Sequence, residues 1–521
     1  MKTLSSFLPA ILSAALVILS TPPSGFFWIA FTALAPLLFV LRESSLVRAA
    51  ALSFLFGYLH GIGIFWWLTS VEGVGLELYL LVLAPLYALY YTAFGVSYNL
   101  MACAFPRLTF LLGPALWVSV EFIRAHMFFL ALPWNLLGHT QHAVLPVIGI
   151  ADLTGVYGVS FLLVLVNEVV SRWLETVLSK KQSNKFSRQH QWSSLKVPTA
   201  VAVLSLIFTV SWSVAPGQVD NQAETVRLAL LQPNVVTSEI MSYQDQNDHL
   251  EIYSTFTREA AGRDADLIAW PASSLPGSLS SRIVKAHLRE LIKDLNTYLL
   301  VGWAAGQKLS PAEGKKERYA NTEFLFNADG RPGGRYNKQH LVPFNEYLPL
   351  DDLIHWPRWV TTLEGNYRPG ERNTLFVLKK AKFGVPICWE SLFPDLFRRF
   401  VKEGANFMVN VTNEAYMGDT AGPYQTHAMN VFRAVENRIT LARVSATGIS
   451  SFIGPDGRVL ETVRDADGKE LFVPGILVRD IPLLKERTFY TMHGDLFAWA
   501  MIAVTIVLLA VSIRAGPVEE P

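Results

Sequence analysis

Eight apolar segments constrain the fold of this chain more than any other feature. A helix that crosses a bilayer needs about 20 mostly apolar residues, and only 17% of this chain is charged, against roughly 25% in a soluble globular protein. The first two segments are short and are separated by Thr21-Pro22-Pro23-Ser24-Gly25, so they are either two short spans or one re-entrant hairpin. The sequence predicts a polytopic α-helical membrane domain with about eight transmembrane helices, at about 5–20, 26–41, 49–70, 76–102, 108–123, 154–175, 197–215 and 494–513.

The charges of the loops predict how these helices are oriented. With the N-terminus in the cytoplasm, the inner loops carry Arg42, Arg48, Arg107 and the basic stretch 172–196. The short outer loops carry no charge at 21–25, and only Glu72 and Glu77 at 70–77. Basic residues are enriched in cytoplasmic loops of membrane proteins. Residues from about 216 to 490 are therefore expected outside the cytoplasm. We predict a multi-pass protein of a bacterial inner membrane with its soluble domain on the periplasmic side.

Short apolar strands alternate with amphipathic helices from about residue 225 onward, which is typical of a large α/β domain. The pattern predicts eight strands, at about 226–232, 266–270, 297–303, 322–327, 382–388, 405–411, 440–446 and 450–454. The pattern divides the chain into an N-terminal membrane domain (1–217, about seven helices), an extracytoplasmic domain (218–490), and a C-terminal transmembrane helix with a cytoplasmic tail (491–521). Neither a Gly-rich phosphate loop nor a basic stripe with interleaved aromatic residues occurs in the sequence. We therefore expect no nucleotide cofactor and no nucleic-acid partner. We also expect no metal, because His139 and His142 are three residues apart in the sequence without a third ligand.

Cys388 is the strongest candidate for chemistry. The other cysteine, Cys103, lies in a predicted membrane helix, so an unpaired thiol is expected in an oxidising compartment. The sequence Gly384-Val385-Pro386-Ile387-Cys388-Trp389-Glu390-Ser391 predicts an apolar strand that ends in a turn into a helix. Such a turn can present a nucleophile beside backbone N–H groups. A small buried hydrophobic residue is the alternative interpretation of a free cysteine.

Three segments carry residues that could complete a site with this cysteine. A predicted strand at 266–270 runs into Trp270-Pro271-Ala272, and Glu390 follows Cys388 by two residues. Residues 335–347 contain Lys338 and Glu346; the lysine could equally be a solvated surface charge, whereas the glutamate lies between aromatic and proline residues. The spacing of these residues along the chain does not show whether they meet.

The soluble region contains six short motifs in a fixed order: Trp270-Pro271, Tyr336-Asn337-Lys338-Gln339-His340-Leu341-Val342-Pro343-Phe344, Cys388-Trp389-Glu390-Ser391, Thr412-Asn413-Glu414-Ala415-Tyr416, Gly422-Pro423-Tyr424-Gln425-Thr426-His427 and Arg433-Ala434-Val435-Glu436-Asn437-Arg438. Taken in this order, the motifs resemble those of the nitrilase superfamily. With the apolar segments around them, nearly the whole chain resembles an apolipoprotein N-acyltransferase. The resemblance implies a four-layer αββα sandwich and a Glu-Lys-Cys triad.

The resemblance implies a role for each candidate residue. Cys388 matches the nucleophile, Lys338 matches the lysine that stabilises the thiolate and the oxyanion, and Glu346 and Glu390 match supporting acids. The family's general-base glutamate follows the Trp-Pro dipeptide, but this chain has Ala272 there. Either Ala272 was introduced to arrest the reaction, which the intact remaining residues favour, or it is a natural difference with a weakened or re-routed mechanism.

The resemblance also implies a reaction, namely ping-pong acyl transfer. A phospholipid donates its sn-1 acyl chain to Cys388, and the α-amino group of a diacylglyceryl-cysteine at a lipoprotein N-terminus attacks the thioester. Both substrates are lipids, so a lid at the membrane surface is expected. Trp356 and Trp359 in the segment 355–360 suit a lid or a plain hydrophobic anchor, and Trp134 suits a groove in the outer segment 125–153.

Two other classes of function remain open from the sequence. The chain could be a non-catalytic membrane protein that binds lipids or lipoproteins on a decayed enzyme scaffold. It could also be a membrane-tethered amidase that acts on small soluble amides, although an amidase would give no reason for the apolar segment 125–153.

Overall fold

A computed structural model describes residues 6–71, 73–178, 185–214, 224–236, 243–275, 282–303, 319–350, 353–357, 367–379 and 381–515. The chain forms two compact units, one of Met1–Pro216 with His493–Pro521 and the other of Gly217–Met492. The described helices, in chain order, are α1 Leu8–Ser20, α2 Ala35–Arg42, α3 Leu46–Ile64, α4 Leu76–Ala104, α5 Thr109–His126, α6 Leu145–Ile148, α7 Ala151–Thr154, α8 Val156–Leu178, α9 Lys185–Val214, α10 Tyr243–Ala261, α11 Arg282–Leu295, α12 Pro394–Lys402, α13 Ala421–Asn437, α14 Phe489–His493 and α15 Leu496–Ala515.

The first unit is helical and strongly apolar. Within the described ranges, four of its helices are long and apolar enough to cross a membrane: Leu46–Ile64, Leu76–Ala104, Leu195–Val214 and Leu496–Arg514. Helices also form at the other predicted positions, but α1 and the apolar stretch Phe27–Arg42 are short, and α5 carries the charges of Glu121 and Arg124. The predicted count of about eight transmembrane helices is therefore not confirmed.

Buried polar side chains join the helices of this unit. Arg42 on α2 donates to Glu168 on α8 at 3.1 Å and to Glu175 at 2.9 Å. Asn167 accepts from the backbone N–H groups of Leu34 and Ala35 at 2.7 and 3.0 Å, at the start of α2. The first N–H groups of a helix have no partner within the helix, so the Asn167 side chain supplies an acceptor at the start of α2.

The second unit contains two six-stranded sheets. In the first sheet the strand order is β12-β1-β2-β3-β4-β5, and in the second it is β11-β10-β9-β8-β7-β6. The strands are β1 Thr225–Gln232, β2 Leu267–Ala269, β3 Tyr298–Trp303, β4 Thr322–Phe326, β5 Pro332–Asn337, β6 Phe376–Leu378, β7 Ala381–Gly384, β8 Phe407–Thr412, β9 Leu441–Ser445, β10 Ser451–Ile453, β11 Val459–Thr462 and β12 Gly475–Pro482.

Helices cover the outer faces of the two sheets. Helices α10 and α11 pack on the first sheet through one apolar core, and α12 and α13 contact β7 and β9 of the second sheet. Strands β1 and β9 are in contact, so the sheets face each other and the layers run α, β, β, α as expected. Leu299 and Val301 of β3 belong to the core beneath the helices. Since side chains alternate along a strand, Gly302 faces the opposite side, toward the interior of the sandwich.

Candidate active site

Cys388 lies at the sharp turn that follows β7. It begins a short 3₁₀ segment, Cys388–Leu392, and its φ of +50° falls in the left-handed region, which costs a non-glycine residue about 1–3 kcal/mol. The turn is held in place because the Asn410 side chain donates to the Pro386 carbonyl at 3.0 Å. The thiol is partly exposed. A strained turn that lifts a half-exposed thiol from the end of a strand is typical of a nucleophile's position.

Lys338 follows directly after β5 and is buried, with only 2% of its side chain exposed. Its burial excludes the alternative that Lys338 is a solvated surface charge. Its ammonium lies 2.8 Å from Glu346 Oε2. Burial acts to lower the pKa of Lys338, but the nearby negative charges of Glu346 and of the Cys388 thiolate outweigh it, and the net pKa is raised. The ammonium therefore stays charged in the neighbourhood of Cys388.

Glu390 joins the lysine segment to the cysteine turn. Its Oε2 accepts from the Ile387 N–H at 2.7 Å, and its Oε1 accepts from the Tyr336 hydroxyl and from the N–H groups of Gln339 and His340 at 2.8, 2.6 and 3.0 Å. Burial raises the pKa of Glu390 to about 7, although these donors act in the opposite direction. A carboxyl group that accepts four hydrogen bonds is well placed to fix two segments against each other.

Glu346 has a similar supporting position. Its Oε1 accepts from the Asn321 side chain at 3.0 Å, and its Oε2 accepts from the Val342 N–H at 2.8 Å in addition to the Lys338 ammonium. These bonds fix the loop after β5 and the position of the lysine. The structure thus brings together Cys388, Lys338, Glu346 and Glu390, which the sequence alone could not assemble.

Ala272 lies in the turn after β2 and is 3% exposed. The turn is tied to β3, because the Ser274 hydroxyl and the Leu275 N–H both donate to the Gly302 carbonyl, at 3.2 Å each. A buried acid on β4, Glu323, lies next to this turn. Glu323 was not among the predicted site residues, and its only signal in the sequence is one carboxyl group within the apolar strand Thr322–Phe326.

A buried ion pair supports the loop after β8, where Tyr416 lies. Arg443 donates to Glu414 at 2.5 Å, and the Thr426 hydroxyl donates to the same oxygen at 2.6 Å. The Tyr416 side chain as a whole is 41% exposed, but desolvation of its hydroxyl, followed by the charges of Cys388 and Glu414, raises the pKa of Tyr416.

The three tryptophans predicted to contact substrate have different settings. Trp356 is half-buried, and its Nε1–H donates to the Pro349 carbonyl at 2.6 Å. Its ring packs edge-on against that of Phe344, with 4.9 Å between the ring centroids; Phe344 lies in the loop of residues 338–347, here called the lysine loop. Trp134, in the first unit, is 1% exposed and stacks on Trp67 at 4.9 Å. Trp359 lies outside the described residues. Their predicted contacts with substrate stay predictions.

Comparisons with known proteins cover both units. Residues 13–169 match the apolipoprotein N-acyltransferase N-terminal domain, and residues 227–485 match the carbon-nitrogen hydrolase family. The apolipoprotein N-acyltransferase of Geobacter metallireducens is 32% identical over 99% of this chain and 96% of its own length. Apolipoprotein N-acyltransferase 1 of Treponema denticola is 28% identical over 97% and 95%, and the Chlorobaculum tepidum enzyme is 28% identical over 93% and 91%.

The chain belongs to the apolipoprotein N-acyltransferase family. The predicted resemblance is confirmed, and the protein is an acyltransferase of lipoprotein biosynthesis within the nitrilase superfamily. Its apolar helices fit a membrane protein. As a member of the family it has a nitrilase-like region that contains Cys388, Lys338, Glu346 and Glu390, while Ala272 occupies the position at which the sequence resemblance implies the general base.

Proposed function

We propose that the protein N-acylates the N-terminal diacylglyceryl-cysteine of lipoproteins by ping-pong transfer through a thioester on Cys388. The observation that carries the proposal is the buried Lys338 ammonium, which is paired with Glu346 and is close enough to Cys388 for the thiolate to raise the lysine pKa. A thiol held beside a fixed cation is the arrangement that acyl transfer through a cysteine requires.

The first half-reaction uses a phospholipid. The Cys388 thiolate attacks the sn-1 ester carbonyl, and the Lys338 ammonium stabilises the developing oxyanion. A single well-placed donor of this kind is worth about 3–4 kcal/mol of transition-state stabilisation. The intermediate collapses to a Cys388 thioester and a lysophospholipid.

The second half-reaction consumes the thioester. The α-amino group of the lipoprotein acceptor attacks the carbonyl carbon, the C–S bond breaks, and an amide forms. This step is downhill without ATP, because an amide is more stable than a thioester. A group must carry a proton in both halves, and Ala272 cannot do so, so the reaction either runs slowly or uses another carboxyl group.

The membrane setting of the reaction follows from the sequence. We place the protein in the bacterial inner membrane with Gly217–Met492 on the periplasmic side, because the predicted inner loops carry the basic residues. Phosphatidylethanolamine is the proposed acyl donor and a diacylglyceryl lipoprotein is the acceptor. Trp356, whose ring packs on the lysine loop, is proposed to contact the lipid at the entrance of the site.

The proposal is tested with the full-length protein in mixed micelles. Phosphatidylethanolamine and a diacylated lipopeptide are supplied, and the triacylated peptide is measured by mass spectrometry. We expect product from this chain and none from Cys388→Ser. Product from the serine variant at an equal rate would exclude Cys388 as the nucleophile.

The same assay separates the other two functions. A non-catalytic lipid-binding protein would give neither product nor an acyl adduct on Cys388, even as the variant Ala272→Glu. A membrane-tethered amidase would hydrolyse a soluble amide and leave the phospholipid unchanged. Either result would overturn the proposed acyl transfer.

A further inference from the structure

We propose that Glu323 is the proton-transfer residue of this enzyme and takes the part that the resemblance assigns to a glutamate at position 272. The inference rests on the proposed acyl transfer through Cys388. It favours the second explanation of Ala272, in which the proton path is re-routed and the enzyme is active.

The carboxyl group of Glu323 lies beside Ala272. Glu323 on β4 is paired with Gly302 on β3, and its side chain passes over the glycine. A Cβ atom placed on Gly302 would lie 2.5 Å from Glu323 Oε1, 2.7 Å from the Ser273 nitrogen and 2.9 Å from the Ala272 Cα. The carboxyl oxygen and the Ala272 backbone thus flank the same point. Because Gly302 has no side chain and Ala272 has a small one, the Glu323 carboxyl group can reach the space between them from the neighbouring strand β4.

Glu323 also shares a strand face with the lysine side of the site. It lies opposite Tyr336 in the β4–β5 pair. Two residues further on, the Lys338 N–H donates to the Asn321 carbonyl at 2.8 Å, so the pairing of the two segments continues past the end of β5. Side chains two residues apart on a strand point to the same face. Glu323 and Lys338 are therefore diagonal neighbours on one face of this pair of segments, an arrangement in which long side chains can approach each other. The Tyr336 hydroxyl continues the connection by donating to Glu390 at 2.8 Å.

The hydrogen bonds of the acids distinguish Glu323 from the alternatives. Glu346 accepts three hydrogen bonds and Glu390 accepts four, so both are engaged in holding the site together. Glu323 is 0% exposed, and neither of its oxygens has a hydrogen-bond partner among the residues that the structure describes. A buried carboxyl group without hydrogen-bond partners is destabilising, and a purely structural position would not require one. Such a group within an active site is a candidate for proton transfer.

The protons balance over the full cycle. In the resting enzyme the Cys388 thiolate pairs with the Lys338 ammonium, and Glu323 carries a proton. Burial raises the pKa of Glu323 well above its usual value, which favours this distribution. The thiolate attacks the phospholipid ester to give a tetrahedral oxyanion. When this collapses, the C–O bond to the glycerol breaks and the leaving oxygen takes the proton from Glu323.

The second half-reaction returns the proton. A neutral α-amine attacks the Cys388 thioester, and its surplus proton passes to the Glu323 carboxylate. The C–S bond breaks, the amide leaves, and the thiolate and the protonated Glu323 are restored. The cycle needs no oxidant, reductant or external acid. The cycle requires a carboxyl group with a high pKa, because Glu323 must carry its proton while the Cys388 thiolate is not acylated.

The test compares Glu323→Gln, Glu323→Leu and the double variant Ala272→Glu/Glu323→Gln with the unaltered chain. We expect both single variants to lose about 10²–10⁴-fold in transfer rate, as is usual when a general acid–base is removed. The leucine variant replaces an unpaired acid with an apolar group and should fold at least as stably. The double variant restores a carboxyl group at position 272 and should regain at least tenfold. Glu461→Gln, an exposed acid that pairs with Arg479, is the matched control and should be unchanged.

The outcomes separate this inference from the proposed function. If Glu323→Gln and Glu323→Leu transfer acyl groups at the rate of the unaltered chain while Cys388→Ser is inactive, the role of Glu323 is wrong and the proposed function stands. Failure of the double variant to recover activity would also overturn it, because the loss would then not reflect a missing carboxyl group. If the unaltered chain forms neither product nor an acyl adduct, the proposed function itself is wrong.

Discussion

The Tyr336 hydroxyl donates to Glu390 Oε1 at 2.8 Å, and both side chains are fully buried. Tyr336 lies on β5, two residues before Lys338, and Glu390 lies two residues after Cys388. The two halves of the site come from different sheets, since β5 belongs to one and β7, which precedes the cysteine turn, belongs to the other. This hydrogen bond and its neighbours therefore set the position of the ammonium relative to the thiol.

Glu390→Gln should destabilise the second unit and abolish most transfer. The amide NH₂ of glutamine cannot accept from the Ile387 N–H, and a buried donor would face another donor. We expect a loss of about 1–3 kcal/mol in the free energy of unfolding at neutral pH. Tyr336→Phe removes only one of the four donors and should cost about 1 kcal/mol or less. Unfolding in denaturant measures both, and equal stability of Glu390→Gln and the unaltered chain would contradict the joining role.

The protonation of Glu390 predicts a pH dependence of stability. Its pKa is raised to about 7 in the folded protein, so the folded state holds this proton more tightly than the unfolded state does. The resulting stabilisation is complete below the unfolded pKa near 4.5 and is lost as the pH rises through 7. The stability of the unaltered chain relative to Glu390→Gln should fall by about 3 kcal/mol between pH 4.5 and 8. A difference in unfolding free energy that is constant over this range would contradict the assignment.

The contribution of the Lys338–Glu346 ion pair to stability should be separable from its contribution to the rate of acyl transfer. Lys338→Met leaves the Glu346 carboxylate buried without its cation, which should cost about 3–5 kcal/mol. The double variant Lys338→Met/Glu346→Gln should recover most of that stability. It should not recover acyl transfer, because the charge beside Cys388 is missing. Melting temperatures in detergent and transfer rates check the two parts, and an active double variant would show that the ammonium has no part in the chemistry.

Gly302→Ala should lower activity because its methyl group would enter the space of the Glu323 carboxyl group and the Ala272 turn. The expected loss is at least tenfold in transfer rate, with some loss of stability because two of the close atoms belong to the backbone. Gly262→Ala is the matched control, since its nearest contacts would be at ordinary distances of 3.5 and 3.6 Å. When added to Glu323→Gln, Gly302→Ala should reduce the transfer rate little further. Fully additive losses would indicate a general disruption instead.

The sequence predicted the central strands of the second unit but not its edges. All eight predicted strands occur, although the strand predicted at 382–388 ends at Gly384, since Pro386 has no N–H group to continue the ladder. The four strands that were missed are those at the edges of the two sheets, β5, β6, β11 and β12. An edge strand has one unpaired side and needs no continuous apolar run, so periodicity alone does not reveal it.

The candidate site was predictable where a motif marked it. Cys388, Lys338, Glu346 and Glu390 all lie in segments that resemble the family, and the structure brings them together. Glu323 had no such signal, because a single acid within an apolar strand has no significance until the strand register is known. Its position became informative only when β3 and β4 placed it over Gly302, next to Ala272.

The most direct measurement is the location of the acyl group in the absence of an acceptor. The unaltered protein is incubated with phosphatidylethanolamine, quenched in acid, digested and analysed by mass spectrometry. We predict one acyl group on the peptide that contains Cys388, removed by neutral hydroxylamine as a thioester would be, and absent from Cys388→Ser. An enzyme that produces triacylated lipopeptide but carries no acyl group on Cys388 would contradict the account.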